Sequence, residues 1–301
     1  MKIAVFDVSN GSCALAVCKN GHSIMFDCGS HAEKDCPVDK INGFRIPGTW
    51  LGHMKNYQNG TLSYPLTKLV ISHPDLDHIK NIEKVHTRFT PYLLDRRYLE
   101  EFPAAVVHQE DENYAYYKDN VCANYRADPP GLPDWGFTEQ QYMIPMETLR
   151  DDALFGEAKM KNNSSIVYLL DYEGFRVLFC GDMEEAGWIW LIENNAKFKA
   201  DMSQGVDVIV ASHHGHTSGY SQDLMNLIGS PKLAVLSKGS ESGNETDVDS
   251  LYSANAAGCV VTGLALKNTV VKKSLTTRSN GSIYIDVGAG GTVAVYADTV
   301  S

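Results

Sequence analysis

Three short apolar runs in this chain each end in side chains able to bind a metal ion. TKLVIS leads into His73-Pro74-Asp75-Leu76-Asp77-His78, FRVLFC into Gly181-Asp182, and DVIVAS into His213-His214-Gly215-His216. The runs lie far apart in sequence, so a fold that gathers the clusters must bring three strand ends to one edge. Loops at strand ends are where a rigid sheet presents ligands into a common cleft. Singly, each cluster has an ordinary explanation: an Asp after a strand caps a turn, and a His pair there is structural. Together they ask for more, because the first alone carries His73, Asp75, Asp77 and His78. Imidazole with carboxylate suits Zn, Mn or Fe, and two carboxylates in one cluster shift the preference toward harder ions such as Mn.

The rest of the chain reads as short strands interspersed with a few helices, hence α and β in layers. IAVFDV, a turn at Ser9-Asn10-Gly11, and CALAVCKNGHSIMFDCG with a second turn at Asn20-Gly21 predict an opening hairpin series. Residues 79 to 101 are helical in part, with Pro91 breaking the pattern. From His108 to Arg150 the segment turns acidic and aromatic (Tyr114, Tyr116, Tyr117, Tyr125, Trp135, Tyr142), is broken by Asp128-Pro129-Pro130-Gly131, and reads as an insertion or lid. SSIVYLLDY and FRVLFC are strands, and Glu184 to Phe198 predicts a helix with Trp188, Leu191 and Ile192 on one face. Another helix-sized stretch precedes the strand KLAVLS, and SIYIDV with TVAVYA forms a closing hairpin.

With 37 acidic against 26 basic residues the formal charge is −11, while 44% hydrophobic and 21% charged residues exclude a disordered or coiled-coil chain. That charge disfavours tight, sequence-independent attachment to nucleic acid, which needs Lys and Arg on the phosphates. It leaves open a nucleic acid held locally by metal ions. No run approaches the ~20 apolar residues of a membrane helix, and MKIAVFDVS enters a strand pattern without a leader. Seven scattered cysteines, an odd number with no CxxC, read as reduced thiols rather than a disulfide framework. A cytoplasmic protein away from membranes is the expectation, with residues 1–301 as one domain, near the upper size for a single core. Nothing in the sequence speaks to oligomeric state.

SHPDLDHI resembles the HxHxDH signature of the metallo-β-lactamase superfamily, in the form of ComEC-type competence proteins where Asp replaces the second His. DVSNGSCALAV followed by IMFDCG resembles that family's opening motif, NNSSIVYLL its NxxS strand, LFCGD its bridging-Asp strand, ASHHGHTSGYS its HHGSxxS loop and TTRSNGSIYIDV its closing strand. The similarity spans most of the chain outside 30–64 and 108–150. It implies an α+β, four-layer αββα sandwich with a metal site at one edge of two facing sheets. By motif position, His73 and Asp75 would bind one divalent ion (Zn or Mn), Asp77 and His78 a second, and Asp182 would bridge both. His213 or His214 would complete the second site, His213 being favoured because it directly follows the strand. Some positions depart from the pattern: Asn10 and Ser12 replace the family's Gln and Asp, and Lys80-Asn81 replaces Gly-Gly. A third-motif His has no clear counterpart, with Asn162, Asn163 and the outlying His108 in its interval. One metal site is therefore expected to be weak, or filled only with substrate.

Two divalent ions about 3.5–4 Å apart can lower the pKa of a bridging water and clamp an in-line displacement at phosphorus. The resemblance thus implies phosphodiester hydrolysis, with Asp77 or Asp182 orienting the attacking hydroxide and accepting its proton. His216, Ser218, Lys238 and Asn163 are the candidates for substrate contact, against plain solvation. DNA is the first substrate reading, since the ComEC-type domain is thought to degrade a DNA strand; the tyrosines between 114 and 125 either stack bases or pack the insertion. The alternatives are a small-molecule phosphodiesterase acting on a cyclic nucleotide or phosphocholine ester, and a non-catalytic metal-binding scaffold. Asp27 orients a ligating imidazole by family analogy, or caps a turn. Arg96-Arg97 and Lys272-Lys273 read as solvated basic pairs.

Overall fold

Strands covered on both faces read as continuous apolar runs rather than alternating ones, and the two faces of such strands serve different cores. The computed structural model describes residues 1–19, 21–30, 35–43, 66–107, 110–125, 137–151, 153–239 and 248–300. Its strands are β1 Lys2–Val5, β2 Ala14–Val17, β3 Ser23–Phe26, β4 Lys68–Val70, β5 Leu93–Asp95, β6 Thr138–Tyr142, β7 Val167–Tyr172 and β8 Phe175–Phe179. They continue as β9 Val208–Val210, β10 Leu233–Leu236, β11 Cys259–Gly263, β12 Thr269–Lys272, β13 Ser274–Thr276, β14 Ile283–Val287 and β15 Val293–Ala297. Among the described residues they form a nine-stranded sheet, β12-β11-β15-β14-β1-β2-β3-β4-β5, and a six-stranded sheet, β13-β10-β9-β8-β7-β6.

The period-2 alternation of strand side chains divides the interior. Ile3, Val5, Ala14, Ala16, Ile24 and Phe26 of the first sheet meet Tyr168, Leu170, Phe175, Val177, Phe179 and Val235 of the second in a shared core. The opposite faces look outward. Ala4, Leu15, Val17 and Met25 pack under Ile79, Ile82, Val85, Phe89, Tyr114 and Tyr117 of the helices over the first sheet. Leu169, Leu178, Ala234 and Leu236 pack under Trp188, Leu191, Phe198, Leu224 and Tyr252 of the helices over the second. Four layers in the order αββα result, as the resemblance implies.

The opening series forms as antiparallel β1-β2-β3, the closing hairpin as β14-β15, and β1 pairs with β14 so that both ends of the chain share one sheet. Asn20 of the second expected turn, and His108, Trp135 and the 128–131 turn, lie outside the described residues. The single helix expected from Glu184 to Phe198 is two, Glu185–Asn194 and Ala196–Met202. Asn195 divides them, its side chain accepting from Phe198 N at 2.9 Å as the cap of the second helix. Within the 108–150 stretch, β6 joins the second sheet antiparallel to β7, and Tyr114, Tyr117, Val121 and Cys122 are buried over the first. Tyr125 Oη donates to the Pro91 carbonyl and Tyr116 Oη lies 3.1 Å from His86 Nδ1, so these tyrosines pack the outer layer. Arg97 is buried rather than solvated, donating to the Ser164 and Ile144 carbonyls at 2.9 and 2.6 Å.

Candidate metal centre

β3 and β4 run parallel, as do β8 and β9, so the loops that follow each pair leave from the same end of its sheet, where ligands bind in open α/β sheets. Asp27 follows β3, Ser72 and His73 follow β4, Asp182 follows β8, and His213 and His214 follow β9. The two sheets are joined next to these ends by Phe26 and Phe179, whose rings stack at 3.8 Å between centroids and 12° between planes. Asp77 and His78 come from the short helix Leu76–Ile79, whose first N–H donates to Asp75 Oδ1 at 2.9 Å. The opening loops grip that helix: Ser12 N donates to the Asp77 carbonyl at 3.0 Å and Cys28 N to the His78 carbonyl at 2.8 Å. A Cβ on Gly29 would stand 1.4 Å from the Asp77 carbonyl oxygen, so the backbones meet closely only because that residue is glycine.

Asp77, His78, Asp182 and His214 form the cluster at this edge, their candidate ligand atoms all within 4.8 Å of one another. His78 Nε2 lies 3.2 Å from Asp182 Oδ1, and His214 Nε2 lies 3.2 Å from Asp77 Oδ2 and 3.7 Å from Asp182 Oδ2. Each imidazole is anchored through its other nitrogen, the arrangement that orients ligating histidines. His78 Nδ1 sits 2.8 Å from Asp27 Oδ2, and Asp27 in turn accepts from Ser72 N and Ser72 Oγ at 2.7 and 2.9 Å. His214 Nδ1 lies 3.0 Å from the Ser237 carbonyl. Asp27 therefore does orient an imidazole.

The fit to a cation can be tested on the nitrogens that face inward. His73 Nε2 and His78 Nε2 are buried and make no hydrogen bond, although Asp182 oxygens lie 3.9 and 3.2 Å away. A buried polar group left so costs about 1–3 kcal/mol, a penalty that a divalent ion removes. Burial and the adjacent His78 push the His73 imidazole down to about 4, leaving it neutral and able to ligate. Burial opposes protonation of His78 and His214 too, but the carboxylates of Asp182, Asp27 and Asp77 outweigh it at His78, and those of Asp182 and Asp77 at His214. Burial alone would raise Asp182; His78 and His214 hold it well below the usual carboxylate range. The carboxylates thus draw positive charge to this edge, and His78 and His214 ligate a cation only as neutral imidazoles.

Not all expected residues converge. The Asp75 carboxylate is not part of the cluster; its Oδ1 accepts from Leu76 N and its Oδ2 lies 2.6 Å from Lys161 Nζ. The imidazole that the structure brings into the cluster is His214 rather than the favoured His213. Both residues sit in the left-handed region, φ 49 and 54, which ends strand alternation and turns the second ring toward Asp77. His213 stays at the margin, Nε2 3.8 Å from Asp182 Oδ2 and Nδ1 2.9 Å from Ser218 Oγ. Ser218 Oγ donates to Glu184 Oε1 at 3.1 Å and lies 2.8 Å from His216 Nδ1. Lys238 is buried, not solvated, its Nζ 3.0 Å from Asp249 Oδ1. Asn163 is buried too: its Oδ1 accepts from Glu184 N at 3.1 Å, and Asn162 Nδ2 donates to Glu184 Oε1 at 3.1 Å. Those amides position Glu184, and neither fills the place of the missing third-motif His. Lys161, Glu184 and Ser237 are the participants that sequence reasoning missed; none carries a motif signal.

Comparison with known proteins bears on the family. The sequence profile of the metallo-beta-lactamase superfamily matches residues 7–224, a span that contains every group of the cluster. Similar solved structures include Igni18, a metallo hydrolase from Ignicoccus hospitalis, at 10% identity and a TM-score of 0.48, covering 96% of this chain and 100% of that one. The metallo-beta-lactamase fold protein YhfI from Bacillus subtilis is 11% identical over 79% of this chain and 86% of its own, with a TM-score of 0.41. Zn(2+)-bound PqqB from Methylobacterium extorquens is 11% identical over 70% of this chain and 72% of its own, with a TM-score of 0.41. No curated protein matches the chain in sequence. With the profile covering more than half of the residues and all of the converging ligands, this chain belongs to the metallo-beta-lactamase superfamily.

Proposed function

We propose that this protein is a metal-dependent hydrolase of phosphodiester bonds. The observation that carries the reading is the donor set: two carboxylates and two imidazoles converge at a strand-end edge, with buried nitrogens aimed inward and left without hydrogen bonds. Mixed oxygen and nitrogen donors suit Zn or Mn. When bound there, such an ion supplies Lewis-acid polarisation of a phosphoryl oxygen and acidifies the attacking water. The chain's own groups divide the remaining work. Asp182, with 5% of its side chain exposed, gathers the imidazoles at the floor. Asp77, with 38% exposed, is the open carboxylate of the cluster and takes the proton of the water. His216 and Ser218, both partly exposed and 2.8 Å apart through Nδ1 and Oγ, are the groups we assign to substrate contact.

DNA remains the first substrate reading, on the resemblance of the ligand motifs to the ComEC-type domain. A compact phosphodiester such as a cyclic nucleotide is the second reading. It is favoured by the −11 charge and by the burial of Tyr114 and Tyr117, which takes two rings out of reach of bases. Seven unpaired thiols fit a reducing compartment, and we place the protein in the cytoplasm. Among the described residues no helix is long and apolar enough to cross a membrane. The test is a panel of linear DNA, circular DNA, RNA, cyclic nucleotides and an aryl phosphodiester, assayed after loading with Zn, Mn or Co and with Asp77→Ala as control. Metal-dependent turnover that Asp77→Ala abolishes is expected; a full panel without turnover removes the hydrolase reading.

A further inference from the structure

The resemblance provides for two cations, and the structure serves the two places unequally. One has Asp77, His78, Asp182 and His214 around it. The other was assigned His73 and Asp75. Of these, only His73 Nε2 points at the shared carboxylate, 3.9 Å from Asp182 Oδ2. Asp75 has both oxygens engaged: Oδ1 accepts the first N–H of the helix Leu76–Ile79, and Oδ2 is 2.6 Å from Lys161 Nζ. Among the described residues Asn162 and Asn163 do not take the place of the missing imidazole, both being turned to Glu184. Catalytic sites for Zn use three protein ligands; among the described residues the donors on this side are His73 and a share of Asp182, with His213 at the margin, its Nε2 3.8 Å from the same Asp182 Oδ2 but its Nδ1 held by Ser218 Oγ.

We propose that the centre holds one divalent cation, and that the Lys161 ammonium stands at Asp75 in place of the second. The inference rests on the metal-binding part of the proposed function and is indifferent to substrate. The ammonium neutralises Asp75 as a second cation would, and it competes for the same oxygen that such a cation would need. Lys161 is well placed to do so permanently. It lies in the last turn of the helix Gly156–Asn163, and the two residues after it are fixed to Glu184 on the loop that follows Asp182. A dication entering at Asp75 would have to displace this ammonium and would stand beside both it and the first cation, with few donors to offset the repulsion.

The full chain, stripped with a chelator, is titrated with Co(II) while its visible absorption is followed, and Zn is counted by elemental analysis after dialysis. One equivalent per chain is expected for the wild type, and two for Lys161→Met, which removes the ammonium from Asp75 Oδ2. Asp75→Asn keeps the helix cap and is expected to bind one equivalent within about threefold of wild-type affinity, less than the loss typical when a metal site's supporting partners are removed. Circular dichroism checks that both variants fold. Two tight equivalents in the wild type, loss of the single equivalent in Asp75→Asn, or a folded Lys161→Met that still takes one, each overturns the proposal. One equivalent with no turnover of any phosphodiester would leave this inference standing and remove the hydrolase reading.

Discussion

At the scale of single residues, the centre depends on groups that never face the cation. Asp27 holds His78 through Nδ1 at 2.8 Å while accepting from Ser72 N and Ser72 Oγ, and it does so in the left-handed region at φ 57. Asp27→Asn keeps the size but puts an amide where one oxygen accepts from two directions. Losing such a partner typically costs 10–100-fold in metal affinity, so a fall of about that size is expected in competition against a chromophoric chelator. Unchanged affinity would show that His78 is oriented by packing alone. The candidate ligands in positions 73–78, 182 and 213–214 were legible in the sequence because each group follows a short apolar run. Which imidazole of the pair would reach the cluster was not, since the expectation rested on His213 directly following the strand, whereas the left-handed backbone at His213 and His214 turns the second ring inward instead. Asp75 shows a second limit: its partner Lys161 arrives from a helix 86 residues on, and nothing local announces that approach.

Between elements, the decisive contact is the backbone of the loop after β3 against the backbone that carries Asp77. A Cβ at Gly29 would lie 1.4 Å from Asp77 O and 2.2 Å from its carbonyl carbon. Both are main-chain atoms, the Asp77 carbonyl held by Ser12 N and the next carbonyl, of His78, by Cys28 N, so the loop cannot yield as a flexible side chain would. Gly29→Ala is therefore expected to shift Asp77 and His78 out of register with Asp182, destabilise the fold by about 3 kcal/mol as overpacking does, and lower cation affinity. Thermal melting and metal titration measure the two effects separately. Wild-type melting and metal binding in the Gly29→Ala variant would mean that the loops are not rigidly clamped. The sequence DCG after an apolar strand pointed to this loop; its contact with Asp77 is a property of the assembled sheet. Asn195 is the reverse case, a local capping residue inside a periodic helical pattern, where the cap divided what the period had joined.

For the molecule as a whole, the cluster draws on both sheets. Asp77 and His78 follow β4 in the first, whereas Asp182 and His214 follow β8 and β9 in the second. A cation held by all four would thus be a further cross-link between layers that also meet through apolar packing such as the Phe26–Phe179 stack and through the Lys68–Glu139 ion pair. Unfolding separates the sheets and scatters the ligands, so the cation stabilises the native state by mass action, about 2.7 kcal/mol at a hundred times its dissociation constant. For a chain of this length that amounts to a rise of about 5 °C in melting temperature. Chelator-stripped protein is expected to melt lower by that margin, to recover with Zn or Mn, and to lose the response in Asp77→Ala. The −11 charge also attracts cations weakly everywhere, so Mg at the same concentration serves as the control for general screening. A melting temperature that rises equally with Mg, Zn and Mn, or that responds as fully in Asp77→Ala, would mean that the four groups share protons among themselves and bind no ion.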